Sequence, residues 1–72
     1  MNNKLSLEEL KLINLDKQLS NMSTIGYFRD KHGMKLTTSY VKGDLFEAIF
    51  TNKYGREYKI RTYNDIIVLV EY

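Results

Sequence analysis

The sequence predicts an α+β domain in which one N-terminal helix packs on an antiparallel meander sheet of four to five strands. A helix-capping motif opens the chain, and from about residue 24 onward polar and apolar residues alternate with a period of two. Turn motifs then recur at intervals of roughly ten to twelve residues. We therefore expect residues 1–72 to form a single domain, helical over about 6–20 and a β-meander over about 24–72.

The helix is predicted to begin immediately after Ser6. In a capping box, Ser6 accepts a hydrogen bond from the amide of Glu9, and the Glu9 side chain reaches back to the amide of Ser6. Leu5 and Leu10 flank the box as a hydrophobic staple, and Glu8 adds a second acid to the positive end of the helix.

The apolar face of this helix is ambiguous. Two stripes are present, formed by Leu12, Leu15, Leu19 and Met22 and by Leu7, Leu10 and Ile13. A single straight helix would have to bury both stripes. We favour one helix to about Ser20, straight or kinked. The alternative is two short helices that break near Asn14, with Asn14 capping the second.

Strand periodicity assigns the predicted core. Alternation of aromatic and β-branched residues with polar ones marks strands near residues 35–40, 46–51 and 57–62. One parity is predicted to face inward, and it comprises Leu36, Tyr40, Phe46, Ala48, Phe50, Tyr58 and Ile60. The run Ile66–Val70 does not alternate, which is typical of a central strand or of a strand covered by a helix on one face.

Glycine and Asx residues mark the turns. Asp30–Gly33 and Asn52–Gly55 share a pattern typical of a type I turn followed by a left-handed glycine, and Lys42–Asp44 and Asn64–Asp65 mark two more turns. Ser23–Phe28 is predicted as a first strand, because Asp30–Gly33 then closes a hairpin. The alternative is a short helix that Ser23 caps and Gly33 stops.

Composition argues against several classes of function. The 72 residues include no cysteine and one histidine, and the net charge of +2 is small for a protein that binds duplex DNA. His32 lies in a predicted turn without a nucleophile motif, and neither metal-ligand spacing nor a phosphate-binding glycine loop is present. We expect no enzymatic activity, cofactor or metal. The longest apolar run has five residues, so we also expect no membrane segment and a cytoplasmic location.

Outward-facing aromatic and apolar residues indicate a protein-binding surface. Tyrosine and phenylalanine favour the centres of interfaces, although scattered surface hydrophobics are the plain alternative. The predicted contact residues are Tyr27, Phe28, Asp44, Leu45, Glu47, Ile49, Tyr54 and Tyr63. Lys59 and Arg61 interleave with tyrosines, which leaves a small nucleic-acid-binding sheet or Sm-like barrel as the alternative function.

The chain as a whole resembles the small antirepressors of temperate phages, among them the modulator-of-repression proteins of lactococcal phages. The resemblance covers the 72-residue length, the composition rich in Asn, Lys, Ile and Tyr, and the opening Met1–Leu10 before an aromatic-rich tail. It implies a protein that binds the helix-turn-helix DNA-binding domain of a phage repressor in the bacterial host cell. Operator binding would be blocked and lytic growth favoured, while direct nucleic-acid binding is less expected. The resemblance assigns no individual residues.

Overall fold

The computed structural model describes residues 2–72, so Met1 of the predicted domain lies outside the described residues. Two helical segments precede four strands. The helical segments are α1 (Leu7–Leu19) and α2 (Thr24–Gly26), the latter continuing directly into a π-helical turn (Tyr27–Lys31). The strands are β1 (Lys35–Lys42), β2 (Leu45–Thr51), β3 (Glu57–Tyr63) and β4 (Ile66–Glu71).

The four strands form one antiparallel sheet in the order β1-β2-β3-β4, which confirms the predicted α+β meander. The N-terminal residues cover the outer edge of β4. The Leu5 amide donates to the Val70 carbonyl (3.0 Å), and Asn3 and Tyr72 exchange two backbone hydrogen bonds of 2.9 Å. Among residues 2–72, no segment pairs with the other edge of the sheet, β1, and a bulge interrupts the pairing of that strand with β2.

Helix α1 begins as predicted. The Glu9 amide donates to Ser6 Oγ (3.2 Å), and the Ser6 amide donates to Glu9 Oε1 (2.8 Å), which completes the capping box. The helix runs unbroken to Leu19, so the single-helix interpretation of this segment is confirmed. Asn14 therefore caps no second helix.

The strand predicted over Ser23–Phe28 is wrong, because this segment is helical. Ser23 is its N-cap and accepts a hydrogen bond from the Gly26 amide (3.1 Å), so the alternative of a capped short helix is the observed one. Asp30–Gly33 consequently ends a helical segment and closes no hairpin. Gly33, at φ +65°, turns the chain towards β1 in the left-handed conformation that favours glycine.

The three hairpin turns form where they were predicted. Asn52 Oδ1 accepts hydrogen bonds from the amides of Tyr54 (3.0 Å) and Arg56 (2.9 Å), and Gly55 supplies the left-handed residue. Asn64 and Asp65 both have positive φ between β3 and β4, as a type I′ turn requires.

The core lies between the helices and one face of the sheet. Its fully buried apolar residues come from the π-helical turn and from β2, β3 and β4; they are Tyr27, Phe28, Ala48, Phe50, Ile60, Ile67 and Val70. Leu36, Phe46 and Tyr58 pack against this cluster half-buried, in agreement with the predicted parity. Helix α1 contacts β4, which is covered by a helix on one face as predicted.

Tyr40 is the exception to the predicted core. The pairing of β1 with β2 shifts between Leu36 and Thr38, so that Tyr40 pairs with Glu47 on the opposite face and is 56% exposed. The extra residue in the bulge inverts the parity of the remainder of the strand. The prediction of an inward Tyr40 assumed an unbroken alternation.

Polar side chains set how α1 sits on the sheet. The Asn14 amide forms a two-way contact with β4: its Nδ2 donates to the Ile67 carbonyl, and its Oδ1 accepts from the Ile67 amide, both at 2.8 Å. One turn further on, Lys17 is buried and its Nζ lies 3.1 Å from Asp65 Oδ2. Asp65 also accepts a hydrogen bond from Thr24 Oγ1 (3.0 Å), which joins both helical segments to the β3–β4 turn.

This orientation buries neither predicted apolar stripe completely. Leu10 and Ile13 pack on the core, but Leu7 of the same stripe is exposed. Of the other stripe, Met22 packs on the core and the three leucines are exposed. The expectation that one wide face buries both stripes is therefore wrong. The face that meets the sheet is completed by Asn14 and Lys17 instead of leucine.

Asp16 connects α1 to the second helical segment. Its carboxylate accepts hydrogen bonds from the Tyr27 hydroxyl (2.6 Å) and from Lys31 Nζ (2.8 Å). The bonds from Lys31 and Tyr27 hold the pKa of the Asp16 carboxyl below its usual range. Burial, together with the bond to Asp16, raises the pKa of the Tyr27 hydroxyl.

Replacing Asn14 with Ala should lower the free energy of unfolding by about 1–3 kcal/mol, because it leaves buried backbone groups of Ile67 without their partner. Urea denaturation measures the change. Gln18→Ala, at an exposed position of the same helix, is the matched control and should have little effect. Equal midpoints for the two variants would show that the Asn14 contact does not stabilise the fold.

Asp16→Asn should make the free energy of unfolding less dependent on pH in the acid range. Because the pKa of Asp16 is lowered in the folded state, its contribution is complete above the unfolded-state pKa, about 4, and is lost as the pH falls through the lower folded-state value. The stability gap between the natural chain and the variant should therefore narrow in acid. Thermal unfolding over a pH series measures the gap, and a gap that stays constant into strong acid contradicts this assignment.

Candidate functional site: the open face of the sheet

The sheet face turned away from the helices is the candidate site, and we call it the open face. No element within residues 2–72 packs over it. Strand register places side chains from all four strands there, and its central residues are Thr38, Tyr40, Leu45, Glu47, Ile49, Lys59, Arg61, Tyr63, Ile66 and Leu69. Its tyrosines belong to the residue types that are enriched at protein interfaces.

An apolar row crosses one end of the open face. Leu45 pairs with Tyr63, and Tyr63 pairs with Ile66 on the next strand. Tyr63 and Ile66 are each 55% exposed, while Leu45 is half-buried. Directly paired side chains on neighbouring strands lie close enough to touch. The row is therefore a continuous apolar strip across three strands.

An ion-pair cluster occupies the centre of the open face. Glu47 Oε2 lies 2.7 Å from Arg61 Nη2 and accepts a second hydrogen bond from Arg61 Nε (2.8 Å), a bidentate arrangement. Lys59 Nζ approaches Glu47 Oε1 at 3.8 Å. One carboxylate thus pairs with two cations, which lowers the charge of this cluster to a net +1.

The residues that pair with the ion-pair cluster on the two outer strands are a tyrosine and a leucine. Tyr40 pairs with Glu47, and Leu69 pairs with Arg61, so the ion pairs lie between an exposed tyrosine and a half-buried leucine. Ile49 lies one row further along β2, between Thr38 and Lys59. Apolar groups therefore border the charges on several sides.

Four of the eight predicted contact residues share the open face: Leu45, Glu47, Ile49 and Tyr63. The exposed residues Asp44 and Tyr54 lie outside the strands, in turns at opposite ends of β2. Tyr27 and Phe28 are buried, so neither is available to a partner. Their assignment to the contact surface is wrong because it assumed a strand, whereas the π-helical turn directs both rings into the core.

Four residues of the open face were missed by sequence reasoning: Thr38, Tyr40, Ile66 and Leu69. The bulge in β1 carries no sequence signal that would have moved Tyr40 outward. For β4, the apolar run did indicate burial on one side and contact on the other. A second bulge, at Val68, places Ile66 and Leu69 on the same face, so an unbroken alternation along β4 would have selected only one of the two.

Within residues 2–72, no group of three or more His, Cys, Asp and Glu side chains is arranged to hold a metal ion. No helix in the same range is long and apolar enough to cross a membrane.

Comparison with known proteins adds no relative to this description: no protein-family model, no curated protein and no solved structure matches the chain. The open face is therefore interpreted from its own residues and geometry.

Glu47→Gln should increase the affinity of the protein for single-stranded DNA, because it leaves Arg61 and Lys59 without their carboxylate. The stability should fall by no more than about 1 kcal/mol, since these groups are partly exposed. Fluorescence anisotropy with a labelled oligonucleotide at low salt measures the affinity. Glu57→Gln removes the same charge from the same face outside the cluster, and an equal increase for both variants would attribute the effect to net charge alone.

Proposed function

We propose that this protein is a non-enzymatic regulator that binds another protein through the open face. The observation that carries the proposal is the apolar row Leu45–Tyr63–Ile66, which is exposed on a face that the chain's own helices leave uncovered. Tyrosine contributes much contact area at a small entropic cost, so it is favoured at the centres of protein interfaces. Neither a cofactor nor a metal is part of this proposal.

A protein partner is favoured over a nucleic acid because the central cations are already paired. Affinity for nucleic acid comes largely from unneutralised Lys and Arg that displace counterions from phosphates. Glu47 engages both Arg61 and Lys59, and the chain carries a net charge of only +2. The exposed rings of Tyr40 and Tyr63 are the features that favour the alternative of a nucleic-acid-binding sheet.

The partner we propose is the helix-turn-helix DNA-binding domain of a phage repressor. This follows from the whole-chain resemblance to small phage antirepressors, and it makes the protein a cytoplasmic component of a genetic switch in a bacterial host. A repressor presents a basic surface to DNA, and the exposed Asp44 at the end of the apolar row has the sign to meet it. Because Glu47 is neutralised, recognition would depend on packing more than on imitation of phosphate charge.

A gel-shift assay tests the proposal with the helix-turn-helix repressor encoded nearest to this chain in its genome, bound to its operator DNA. Adding the protein should release the DNA, and the protein alone should not retard it. Tyr63→Ala should weaken the release by about tenfold or more, because hot-spot aromatic residues contribute about 2 kcal/mol.

Tyr54→Ala is the matched control, since Tyr54 is also an exposed tyrosine but lies in the β2–β3 turn. It should release DNA like the natural chain. Retention of DNA or RNA by the protein alone would establish the nucleic-acid alternative. An unchanged repressor shift at saturating protein would refute the antirepressor proposal.

A further inference from the structure

A row of leucines is exposed on α1. Leu12, Leu15 and Leu19 are 67%, 51% and 77% exposed. They follow one another at intervals of three and four residues, with half-buried Met22 continuing the spacing beyond the end of the helix. We call Leu12, Leu15 and Leu19 the leucine row. Its spacing is that of the seam of a coiled coil.

The leucine row lies on the side of α1 opposite to the residues that meet the sheet. At about 100° per residue, its direction is roughly opposite to that of Leu10, Ile13 and Lys17, which meet the sheet. A second helix could therefore approach the row without meeting the sheet. Leu15, at one side of the row, also lines a groove that α1 shares with Ile66 at the start of β4, so this side of the row lies near one end of the open face.

The charges that flank the row indicate which helix fits it. With Leu12 and Leu19 as a positions and Leu15 as a d position, Lys11 is a g position and Asp16 is an e position. In a parallel pair of helices, the g position of one chain faces the e position of the next heptad on the other, and these positions set orientation and partner choice. Lys11 of each copy then faces Asp16 of the other. Asp16 remains partly exposed beside its contacts with Tyr27 and Lys31, so it can be reached.

An antiparallel pair lacks this match. It brings Glu9 of one helix towards Asp16 of the other, and both residues are acidic. We propose that the leucine row binds a second copy of this chain, with the two α1 helices parallel about a two-fold axis. This inference goes beyond the proposed function and does not depend on it.

The dimer is expected to be weak. Glu8 occupies the d position before Leu12, so two carboxylates meet at the N-terminal end and confine the seam to the leucine row. Three leucines per copy bury less than the roughly 800 Å² per partner of a standard interface. Because the helices meet back to back, the two sheets lie on the outside. The dimer therefore presents two open faces.

Analytical ultracentrifugation of the full chain, over a concentration series reaching the millimolar range, tests the proposal. The natural chain should show a concentration-dependent shift from monomer to dimer. Leu12→Gln should weaken association by about tenfold or more, since it removes a leucine from each side of the seam. Leu7→Gln is the matched control, because Leu7 is 70% exposed on the same helix but lies off the row.

Two further variants test the leucine contact between the copies and the relative orientation of the two helices. Glu8→Leu extends the row and should tighten the dimer by at least about tenfold. Lys11→Glu places an acid opposite Asp16 and should weaken a parallel dimer. An unaffected Lys11→Glu dimer would overturn the parallel arrangement.

Circular dichroism confirms that each variant is folded. The self-association is refuted if the natural chain stays monomeric throughout, or if Leu7→Gln weakens association as much as Leu12→Gln. Monomeric protein that instead sediments with phosphatidylcholine–phosphatidylglycerol vesicles in a Leu12-dependent manner would assign the row to a lipid surface, and would equally overturn the proposal.

Discussion

The attachment of α1 to β4 through Asn14 and Lys17 determines how the rest of the surface is arranged. A helix with apolar residues on two sides can be rotated to bury either side. Here the Asn14 amide satisfies both the amide and the carbonyl of Ile67, and the buried Lys17 ammonium is paired with Asp65. Turning the helix to bury the leucine row would break these contacts and leave buried polar groups unpaired, which is costly.

Two uncovered surfaces follow from this arrangement and from the meander. A single layer of helices covers one face of an antiparallel sheet, so the other face meets solvent or a partner. The orientation of α1 then exposes a leucine row on the far side of the helical layer. The core lies between these two surfaces, and its main aromatic contribution is the group Tyr27, Phe28 and Phe50. A small domain with apolar groups on both outer sides is expected to gain stability on association.

Sequence reasoning succeeded where the determining interactions are local. The Ser6 capping box and the Asn64–Asp65 turn depend on residues within a few positions of one another, and both formed as predicted. The residues of β2 and β3 that face the core were also predicted correctly, because polar and apolar residues alternate along both strands without interruption. Leu45, Ile49 and Tyr63 could therefore be assigned to one face before the structure was known.

Two of the failures depended on contacts that local sequence does not determine, and the third on a choice between two local patterns. Ser23–Phe28 has the β-branched and aromatic composition of a strand, but the Ser23 cap and the burial of both aromatic rings select a helix. Tyr40 moved outward because of a bulge that only the pairing with β2 reveals. The rotation of α1 depended on Asn14, whose partner Ile67 lies 53 residues further along the chain.

The orientation of α1 can be measured directly by cysteine accessibility, because the chain contains no cysteine of its own. Single variants Leu12→Cys and Leu10→Cys would be treated with a thiol reagent under native conditions, at protein concentrations low enough to keep the chain monomeric. The account predicts that the cysteine at position 12 reacts at close to the rate of the urea-unfolded protein, while the cysteine at position 10 is strongly protected. Protection at position 12 with rapid reaction at position 10 would contradict it.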